Sequence, residues 1–261
     1  MEEERRAVVV GISGCSSSGK TTLARLLRDI FPNTFVLHED DFYRPEEQLP
    51  VRDGLADWDC PEALDIPQME AALAHIQTHG TFPPTVDSKE DKNSVGPCPV
   101  PDATIAALKA KVADWTQPGR PGYGLLVAPD GRHLRLCLLD GFLLYCPAMA
   151  GVMRHLDVKL FLLVSREHAT RRREARDGYV TLEGFWKDPP GYVDKIVWPN
   201  YAEAHAWLFE GGDVEGELRR DVLEREGIEA QVGKGLDVDM ETTLEWAVDT
   251  VMRSLERIGR S

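Results

Sequence analysis

Residues 14–21, with the sequence GCSSSGKT, place the strongest constraint on what this chain can form. They fit the pattern G-x-x-x-x-G-K-[ST], follow an apolar run at 7–12 and precede a helical pattern that begins near residue 20. Glycines let the backbone N–H groups of such a loop converge on phosphate oxygens, and the helix N-terminus faces the same anion. In this strand–loop–helix setting the motif predicts that the chain binds a nucleoside triphosphate. The setting disfavours the alternative, an ordinary Ser/Gly-rich turn before a helix.

The side chains of this loop have separate predicted roles. Lys20 is expected to reach the β- and γ-phosphates, and the Thr21 hydroxyl is expected to ligate Mg²⁺. The loop residues predicted to hold the nucleotide are Gly14, Ser16, Ser17, Ser18, Gly19, Lys20, Thr21 and Thr22. The expected cofactors are therefore ATP and Mg²⁺, with GTP left open as an alternative to ATP.

The composition is typical of a soluble globular protein. Of the 261 residues, 43% are hydrophobic and 28% are charged, and no apolar run approaches the ~20 residues that span a bilayer. The formal net charge of −14 disfavours non-specific nucleic-acid binding, although the arginine run at 171–173 leaves room for a local basic cleft. We therefore expect a small-molecule substrate, with neither nucleic acid nor membrane as a partner. Monomer and homodimer both stay open.

The cysteines and the first residues indicate a cytoplasmic protein. The five cysteines are an odd number and form no C-x-x-C pair, which fits free thiols better than a disulfide framework or a zinc site. Residues 1–6 are acidic and lead directly into the first predicted strand, unlike a signal peptide. The expected location is therefore the cytoplasm.

Apolar strands alternate with helical patterns along the chain. The predicted strands lie at 6–12, 34–38, 134–139 and 158–164, and the predicted helices at 20–29, 67–78, 165–176, 193–209 and 240–258. The first strand is continuously apolar, as expected for a strand buried on both faces of a parallel sheet. The pattern predicts an α/β fold of the phosphate-loop NTPase class, a doubly wound parallel sheet.

Three segments depart from this alternation. Residues 79–133 are rich in proline and glycine, carry one helical patch at 104–115, and are predicted to be an insertion. Residues 177–192 are predicted to be a loop that acts as a lid, and residues 210–239 are acidic and weakly patterned. We expect one domain over 1–261, with this insertion, this lid and a C-terminal extension at 210–261.

The chemistry is indicated by carboxylates at strand ends. Asp40 follows the second strand, Asp140 ends the third, and no N-K-x-D guanine-reading motif occurs. Phosphoryl transfer needs a group that orients the accepting hydroxyl, a carboxylate near the metal, and cations over the transferred group. Because ligands of open α/β sheets bind at the carboxyl ends of the strands, both aspartates are predicted site residues. For Asp40 the alternative is a helix cap or a solvated loop residue.

Three stretches together resemble the uridine kinase/nicotinamide riboside kinase group of small-molecule kinases. They are Gly14–Thr22, Asp40–Tyr43 and Leu139–Leu144. Nicotinamide riboside kinases are the more similar branch: Cys60 stands where uridine kinases have a histidine that contacts the pyrimidine, and Asp41 stands where they usually have serine. The run from Arg171 to Tyr201 also resembles the riboside kinase lid and the helix after it. The resemblance covers roughly residues 7–78 and 134–208.

The resemblance implies ATP-dependent phosphorylation of the 5′-hydroxyl of nicotinamide riboside, with roles for specific residues. It implies Asp40 as general base, Asp59 and Arg173 as ligands of the ribose hydroxyls, and Asp188 as a lid carboxylate near the substrate. The residues implied to neutralise the transferred phosphoryl group are Arg172, Arg173 and Arg176. Asp140, where the family has glutamate, would lie near Mg²⁺ with Thr21. Trp58 would stack on nicotinamide, where the family usually has tyrosine, and Tyr179 would form the opposite wall of a lid that is several residues longer here.

Trp58 also fits this substrate on physical grounds. Nicotinamide riboside carries a pyridinium cation, and an indole face attracts such a ring by roughly 0.5–2 kcal/mol. Nearby carboxylates add to the attraction for a cation and add nothing for neutral uridine. Plain core packing is the alternative for this tryptophan.

Other functions stay open at this stage. A kinase for uridine, cytidine or another small alcohol is one, although Cys60 argues against the pyrimidines. A catalytically silent nucleotide-binding regulator is the other, although Lys20, Thr21, Asp40 and Asp140 are all present. Nicotinic acid riboside is a further possible substrate.

Overall fold

The computed structural model describes residues 5–84, 86, 96–127, 133–175, 178–181 and 184–260, with the backbone alone at 179–181 and 184–185. Its strands are β1 (Ala7–Gly14), β2 (Thr34–His38), β3 (Val51–Arg52), β4 (Leu55–Ala56), β5 (Arg135–Gly141), β6 (Val158–Leu162), β7 (Tyr179–Thr181), β8 (Gly184–Trp186) and β9 (Ile228–Ala230). Its helices are α1 (Lys20–Ile30), α2 (Ile66–His79), α3 (Asp102–Trp115), α4 (Ala150–Met153), α5 (Arg166–Glu174), α6 (Trp198–His205), α7 (Arg220–Glu226) and α8 (Met240–Ile258).

The main sheet has the strand order β2-β5-β1-β6-β9, and every neighbouring pair is parallel. All residues of β1, the central strand, are buried, as its continuous apolar run predicted. Because all strands point the same way, the carboxyl ends of β1, β2 and β5 lie at one edge. The phosphate loop follows β1 at that edge, and Asp40 and Asp140 lie at the ends of β2 and β5.

Helices cover both faces of the sheet. Val8 and Val10 of β1 pack toward α1, α3 and α8, whereas Ala7 and Val9 pack toward α2, α4 and α6. This alternation follows from the two-residue period of side chains along a strand. The predicted doubly wound parallel sheet is confirmed.

The C-terminal region is part of this core. Ile228–Ala230 form β9, which pairs with β6 as the fifth strand of the sheet, and α8 packs against α1. The sequence did not predict this strand because it has only three residues, one of them Glu229. The amphipathic pattern did predict α8, whose residues Leu244, Val248 and Val251 are fully buried.

The insertion and the lid both contain regular secondary structure. The helical patch at 104–115 is confirmed as α3, whose Trp115 meets Phe31, the residue after α1, edge to face at 6.5 Å. The lid was expected to be a loop, but β7 and β8 pair within it as a hairpin, with Tyr179 opposite Trp186. No helix in the described ranges is both long and apolar enough to cross a membrane.

Candidate active site

The phosphate loop has the backbone geometry that its glycines predict. Gly14 has φ of 148°, and a Cβ there would lie 2.5 Å from the carbonyl oxygen of Leu162. Gly19 has φ of 103° and immediately precedes α1. The ammonium group of Lys20 is almost buried and donates to the carbonyl oxygen of Cys15 over 3.0 Å. Lys20 thus lies over the loop, where it can meet phosphate oxygens.

The loop opens into a cavity of about 550 Å³. The residues predicted from the sequence that line this cavity are Ser16, Ser17, Ser18, Gly19, Lys20, Thr21, Thr22, Asp40, Trp58, Asp59, Asp140, Arg172 and Arg173. Gly14 and Asp188 do not line the cavity, although Asp188 bonds to Arg173, which does. Arg176 lies outside the described residues, and only the backbone of Tyr179 is described. The cavity therefore joins the nucleotide loop with most of the residues implied to bind the substrate.

Asp140 and Thr21 bring two oxygen donors together beside the phosphate loop. Burial alone would raise the pKa of Asp140, but a hydrogen bond from His38 and the charge of Lys20 lower it below its ordinary value. His38 Nδ1 lies 3.4 Å from the Asp140 carboxylate, and the Thr21 hydroxyl hydrogen-bonds the same carboxylate. An ionised carboxylate next to a hydroxyl is a donor set that fits Mg²⁺, which also takes phosphate oxygens as ligands.

Asp40 and its neighbour Glu39 point in different directions. Asp40 lies in the turn after β2, is half-buried and lines the cavity. Glu39 is fully buried, and its carboxylate accepts a hydrogen bond from the backbone N–H of Leu143 over 3.2 Å. Burial raises the pKa of Glu39 to about 8. Asp40 is thus the residue of this pair that can meet a substrate hydroxyl.

Arg173 is the most connected side chain of the site. Its guanidinium donates to both carboxylate oxygens of Asp59, over 2.9 and 3.2 Å, and to Asp188 over 2.6 Å. It also donates to the hydroxyl of Ser16 over 2.7 Å. Burial keeps the pKa of Asp59 above its ordinary value despite this ion pair. The phosphate loop, the segment around Asp59 and the lid therefore meet at one buried guanidinium.

The other arginines of α5 follow the helical period. Arg172 is exposed, and its guanidinium lies 3.4 Å from the carbonyl oxygen of Ser17 in the phosphate loop. Arg171 is exposed and does not line the cavity. Successive residues of a helix point about 100° apart, so the three arginines cannot share one face.

An aromatic cluster surrounds Trp58. Its ring lies 5.2 Å from that of Tyr43 and 5.6 Å from that of Trp186, between ring centroids. Phe142 stacks on Tyr43 at 6.3 Å, and both also line the cavity with Trp186. Trp186, at the end of the hairpin strand β8, is the aromatic side chain that faces Trp58 from the lid. The sequence signal for it was its place two residues before Asp188 within the lengthened lid.

Part of the cavity wall is formed by the C-terminal segment, residues 231–243. The residues of this segment that line it are Gln231, Gly235, Val238, Asp239, Met240 and Thr243. Met240 lies against the phosphate loop, since a Cβ at Gly19 would be 2.6 Å from its methyl carbon. Sequence reasoning missed these residues because no motif marks them. Their place beside the loop depends on β9 and α8 joining the core.

The comparisons with known proteins identify the family. No protein-family model matches the chain. Nicotinamide riboside kinase of Schizosaccharomyces pombe is 34% identical over 252 residues, which are 97% of this chain and 99% of that protein. Nicotinamide riboside kinase of Eremothecium gossypii is 35% identical, covering 87% of this chain and 89% of its own.

A vertebrate relative is similar to a lesser degree. Nicotinamide riboside kinase 2 of Homo sapiens is 30% identical, over 85% of this chain and 80% of its own length. The similarity to the fungal protein extends through the insertion and the C-terminal region, beyond the two ranges that carried the resemblance in the sequence. On this similarity over nearly its whole length, the chain is a kinase and belongs to the nicotinamide riboside kinase family.

Proposed function

We propose that this protein transfers the γ-phosphoryl group of ATP to the 5′-hydroxyl of nicotinamide riboside, which yields nicotinamide mononucleotide for NAD salvage. The observation that supports this most is the position of Trp58 and Trp186, at 5.6 Å, in the same cavity as Asp40, Asp59 and the phosphate loop. Two neighbouring indoles, tilted by 50° to each other, with carboxylates nearby suit a cationic pyridinium ring better than a neutral pyrimidine. The names of the relatives support the same substrate.

The substrate enters between the two tryptophans and the carboxylates. A flat ring between two others needs their centroids ~7 Å apart, twice the ~3.5 Å carbon contact distance. Trp58 and Trp186 are closer than this, so the hairpin that carries Trp186 moves outward when the ring binds. Asp59 and Arg173 then hold the ribose hydroxyls, and Asp188 supports Arg173 from the lid. Tyr179 remains a candidate for contact with the same ring.

Asp40 performs the proton transfer in this proposal. It accepts the proton of the 5′-hydroxyl as that oxygen attacks phosphorus in line with the leaving group. Lys20 and the loop N–H groups hold the β- and γ-phosphates. Arg172 and Arg173 neutralise charge on the transferred group, and we propose the same for Arg176. Closure of the lid excludes water, which would otherwise compete as the acceptor.

Thr21 and Asp140 are the residues that would hold Mg²⁺. Bound Mg²⁺ neutralises negative charge on the β- and γ-phosphates. His38 orients the Asp140 carboxylate through its ring nitrogen, and the charge of Lys20 keeps that carboxylate ionised. Aspartate is shorter than the glutamate usual in the family, so contact through a water molecule fits this position.

The nucleotide base lies against the C-terminal segment in this proposal. Gln231, Val238 and Thr243 line the same cavity, and Met240 of the same segment lies against Gly19 of the phosphate loop. Gln231 supplies an amide for hydrogen bonds, and Val238 supplies an apolar surface for a base. In this proposal the riboside and ATP approach the transferred phosphoryl group from opposite sides, which in-line transfer requires.

We also propose that the protein resides in the cytoplasm, which is a reducing compartment. All five cysteines lie within the described residues and are free thiols. Cys98 is exposed, and an exposed free thiol persists where disulfides do not form.

The test is ADP release with ATP, Mg²⁺ and a panel of acceptors: nicotinamide riboside, nicotinic acid riboside, uridine, cytidine and no acceptor. We expect turnover with nicotinamide riboside, a second activity with nicotinic acid riboside, and only background with the pyrimidines. Turnover mainly with uridine or cytidine would contradict the assignment of Trp58 and Trp186. Bound ATP with no turnover on any acceptor would favour a silent regulator.

A further inference from the structure

Asp57 is a buried carboxylate next to the substrate-binding residues. It begins the substrate loop, residues 57–60, and is 4% exposed. Its Oδ1 accepts hydrogen bonds from the backbone N–H of Asp59 over 3.0 Å and from the amide of Asn200 over 2.8 Å. Its Oδ2 accepts from the same amide nitrogen over 2.9 Å. Asp57 does not line the cavity, so its role is not contact with the substrate.

Asn200 is held in a single orientation. It lies on α6 and is 7% exposed, with its amide nitrogen toward Asp57. Its side-chain oxygen accepts a hydrogen bond from the guanidinium of Arg52 on β3. Donor and acceptor ends of the amide therefore each meet a matching charged group. A flipped amide would face a cation with its N–H₂ group and a carboxylate with its oxygen.

Tyr192 braces the same loop from the end of the lid. Its ring is 1% exposed, and its hydroxyl donates to the carbonyl oxygen of Ala56 over 3.0 Å. The same hydroxyl accepts from the backbone N–H of Trp58 over 3.0 Å. The N–H groups of Trp58 and Asp59 thus both bond to side chains rather than to a neighbouring strand. Tyr192 and Asp57 supply those two acceptors.

We propose that Asp57, Asn200 and Tyr192 are positioning residues that set the direction of the Trp58 ring and the Asp59 carboxylate. A short loop without strand pairing has many backbone conformations, and recognition of a ring and two hydroxyls needs one of them. The three side chains supply that constraint, Asp57 from within the loop, Tyr192 from the end of the lid and Asn200 from α6. The identity of the substrate in this inference rests on the proposed function.

An exchange of the two side chains tests the Asp57–Asn200 pair. In Asp57→Asn, two amide groups oppose each other, and in Asn200→Asp, two carboxylates do. In the double variant, the new amide at 57 donates to the new carboxylate at 200 and still accepts from the N–H of Asp59. The carboxylate at 200 also accepts from Arg52. The double variant keeps the net charge and restores one hydrogen bond between the two side chains, in place of the two that Asn200 donates to Asp57 in the wild type.

We expect each single variant to raise KM for nicotinamide riboside at least about tenfold, the effect of one poorly paired buried group. KM for ATP should stay within about twofold, since the phosphate loop is unchanged. The double variant should lower KM for the riboside well below that of either single variant, because one hydrogen bond of the pair is restored. A loss that the exchange repairs is the signature of a direct pair. Thermal unfolding of each variant is recorded in parallel.

Tyr192→Phe gives an independent test with a matched control. It removes only the hydroxyl and should raise KM for the riboside severalfold. Tyr145→Phe removes another fully buried hydroxyl, which bonds to the carbonyl oxygens of Gly11 and Leu160. Tyr145 does not line the cavity, so this control should lower Tm without changing either KM.

Each outcome decides the inference. The positioning role is wrong if the single variants or Tyr192→Phe raise KM for the riboside and KM for ATP equally. It is also wrong if they raise neither KM. A double variant that folds but keeps the defect of the singles also overturns it. If the Asp57 and Asn200 variants do not fold, Tyr192→Phe against Tyr145→Phe decides. Failure of the proposed function is separate, because wild-type protein would then phosphorylate neither pyridine riboside.

Discussion

Arg173 and Asp59 form a bidentate ion pair in the buried centre of the active site, with donor–acceptor distances of 2.9 and 3.2 Å. Arg173 lies on α5 at the base of the lid, and Asp59 lies in the substrate loop. The same guanidinium reaches Ser16 and Asp188. One side chain thus couples the position of Asp59, which we propose binds the ribose, to that of the phosphate loop.

Replacement of Arg173 by lysine should show this coupling. A lysine ammonium cannot bond both oxygens of Asp59 in a fork and reach Asp188 as well. We expect kcat/KM for the riboside to fall about 100-fold or more, by analogy with other broken buried charge pairs. Steady-state kinetics measure the effect. Arg171→Lys, on the exposed side of the same helix, is the matched control and should change kcat/KM less than twofold.

Asp40→Asn should lose turnover and keep nucleotide binding. Removal of a general base costs typically about 10²–10⁴ in rate, whereas the loop that holds the phosphates is untouched. Single-turnover phosphorylation and the Kd for ATP from calorimetry separate the two quantities. Asp41→Asn is the control, because the neighbouring Asp41 does not line the cavity. A fully active Asp40→Asn enzyme would exclude Asp40 as the base.

Replacement of Trp186 by leucine should weaken the binding of the riboside without affecting the binding of ATP. An aromatic face over a cation is worth roughly 0.5–2 kcal/mol, so KM for nicotinamide riboside should rise about 2- to 30-fold. Trp186→Phe keeps a ring and should lose less. Trp207→Leu serves as control, since Trp207 bonds to the carbonyl oxygen of Tyr145 and does not line the cavity. An unchanged KM in Trp186→Leu would leave Tyr179 as the candidate for the second wall.

The stability of the protein should decrease in acid partly because of His205. Its ring is fully buried, stacks on Phe161 at 5.5 Å, and donates to the carbonyl oxygen of Tyr201 over 3.0 Å. Burial lowers the pKa of His205 from 6.5 to about 4. Between these values the unfolded chain binds a proton at this position and the folded chain does not. Stability from this group is therefore present above pH 6.5 and is lost as the pH falls toward 4.

Urea unfolding at pH 7 and pH 4.5 measures this contribution. Between these pH values the free energy of unfolding should fall by about 2 kcal/mol less in His205→Leu than in wild type. The exposed His79, replaced by leucine, is the control and should show the wild-type pH dependence. An equal pH dependence in all three proteins would show that His205 is charged, or solvated, in the fold.

The parts of the site that were predictable carry their information locally. Residues 14–21 specify a backbone loop through their glycines, and Asp40 and Asp140 follow apolar runs directly. In a parallel sheet the carboxyl ends of the strands lie at one edge, so residues at these ends come together independently of the conformation of the loops. The phosphate loop, Asp40 and Asp140 accordingly line one cavity, and their roles in binding and catalysis stay predictions.

The parts that were missed depend on contacts between distant segments. Trp186 faces Trp58 only because β7 and β8 pair, and a three-residue hairpin strand leaves little periodicity in a sequence. The hydrogen bond between Asp57 and Asn200 joins residues 143 positions apart. No local pattern distinguishes Asp57 from other polar residues in loops, or Asn200 from other polar residues on helices.

By itself, the sequence determined the phosphate loop, the alternation that makes a parallel sheet, and the acid groups at its edge. These follow from residue types at fixed spacing, which act through local backbone geometry and side-chain period. Only the tertiary structure decided that β9 joins the sheet and the C-terminal segment lines the cavity, that Trp186 contacts Trp58, and that Arg173 joins three segments. Those relationships depend on which distant surfaces bury one another, and that is set by packing of the whole chain rather than by any stretch of it.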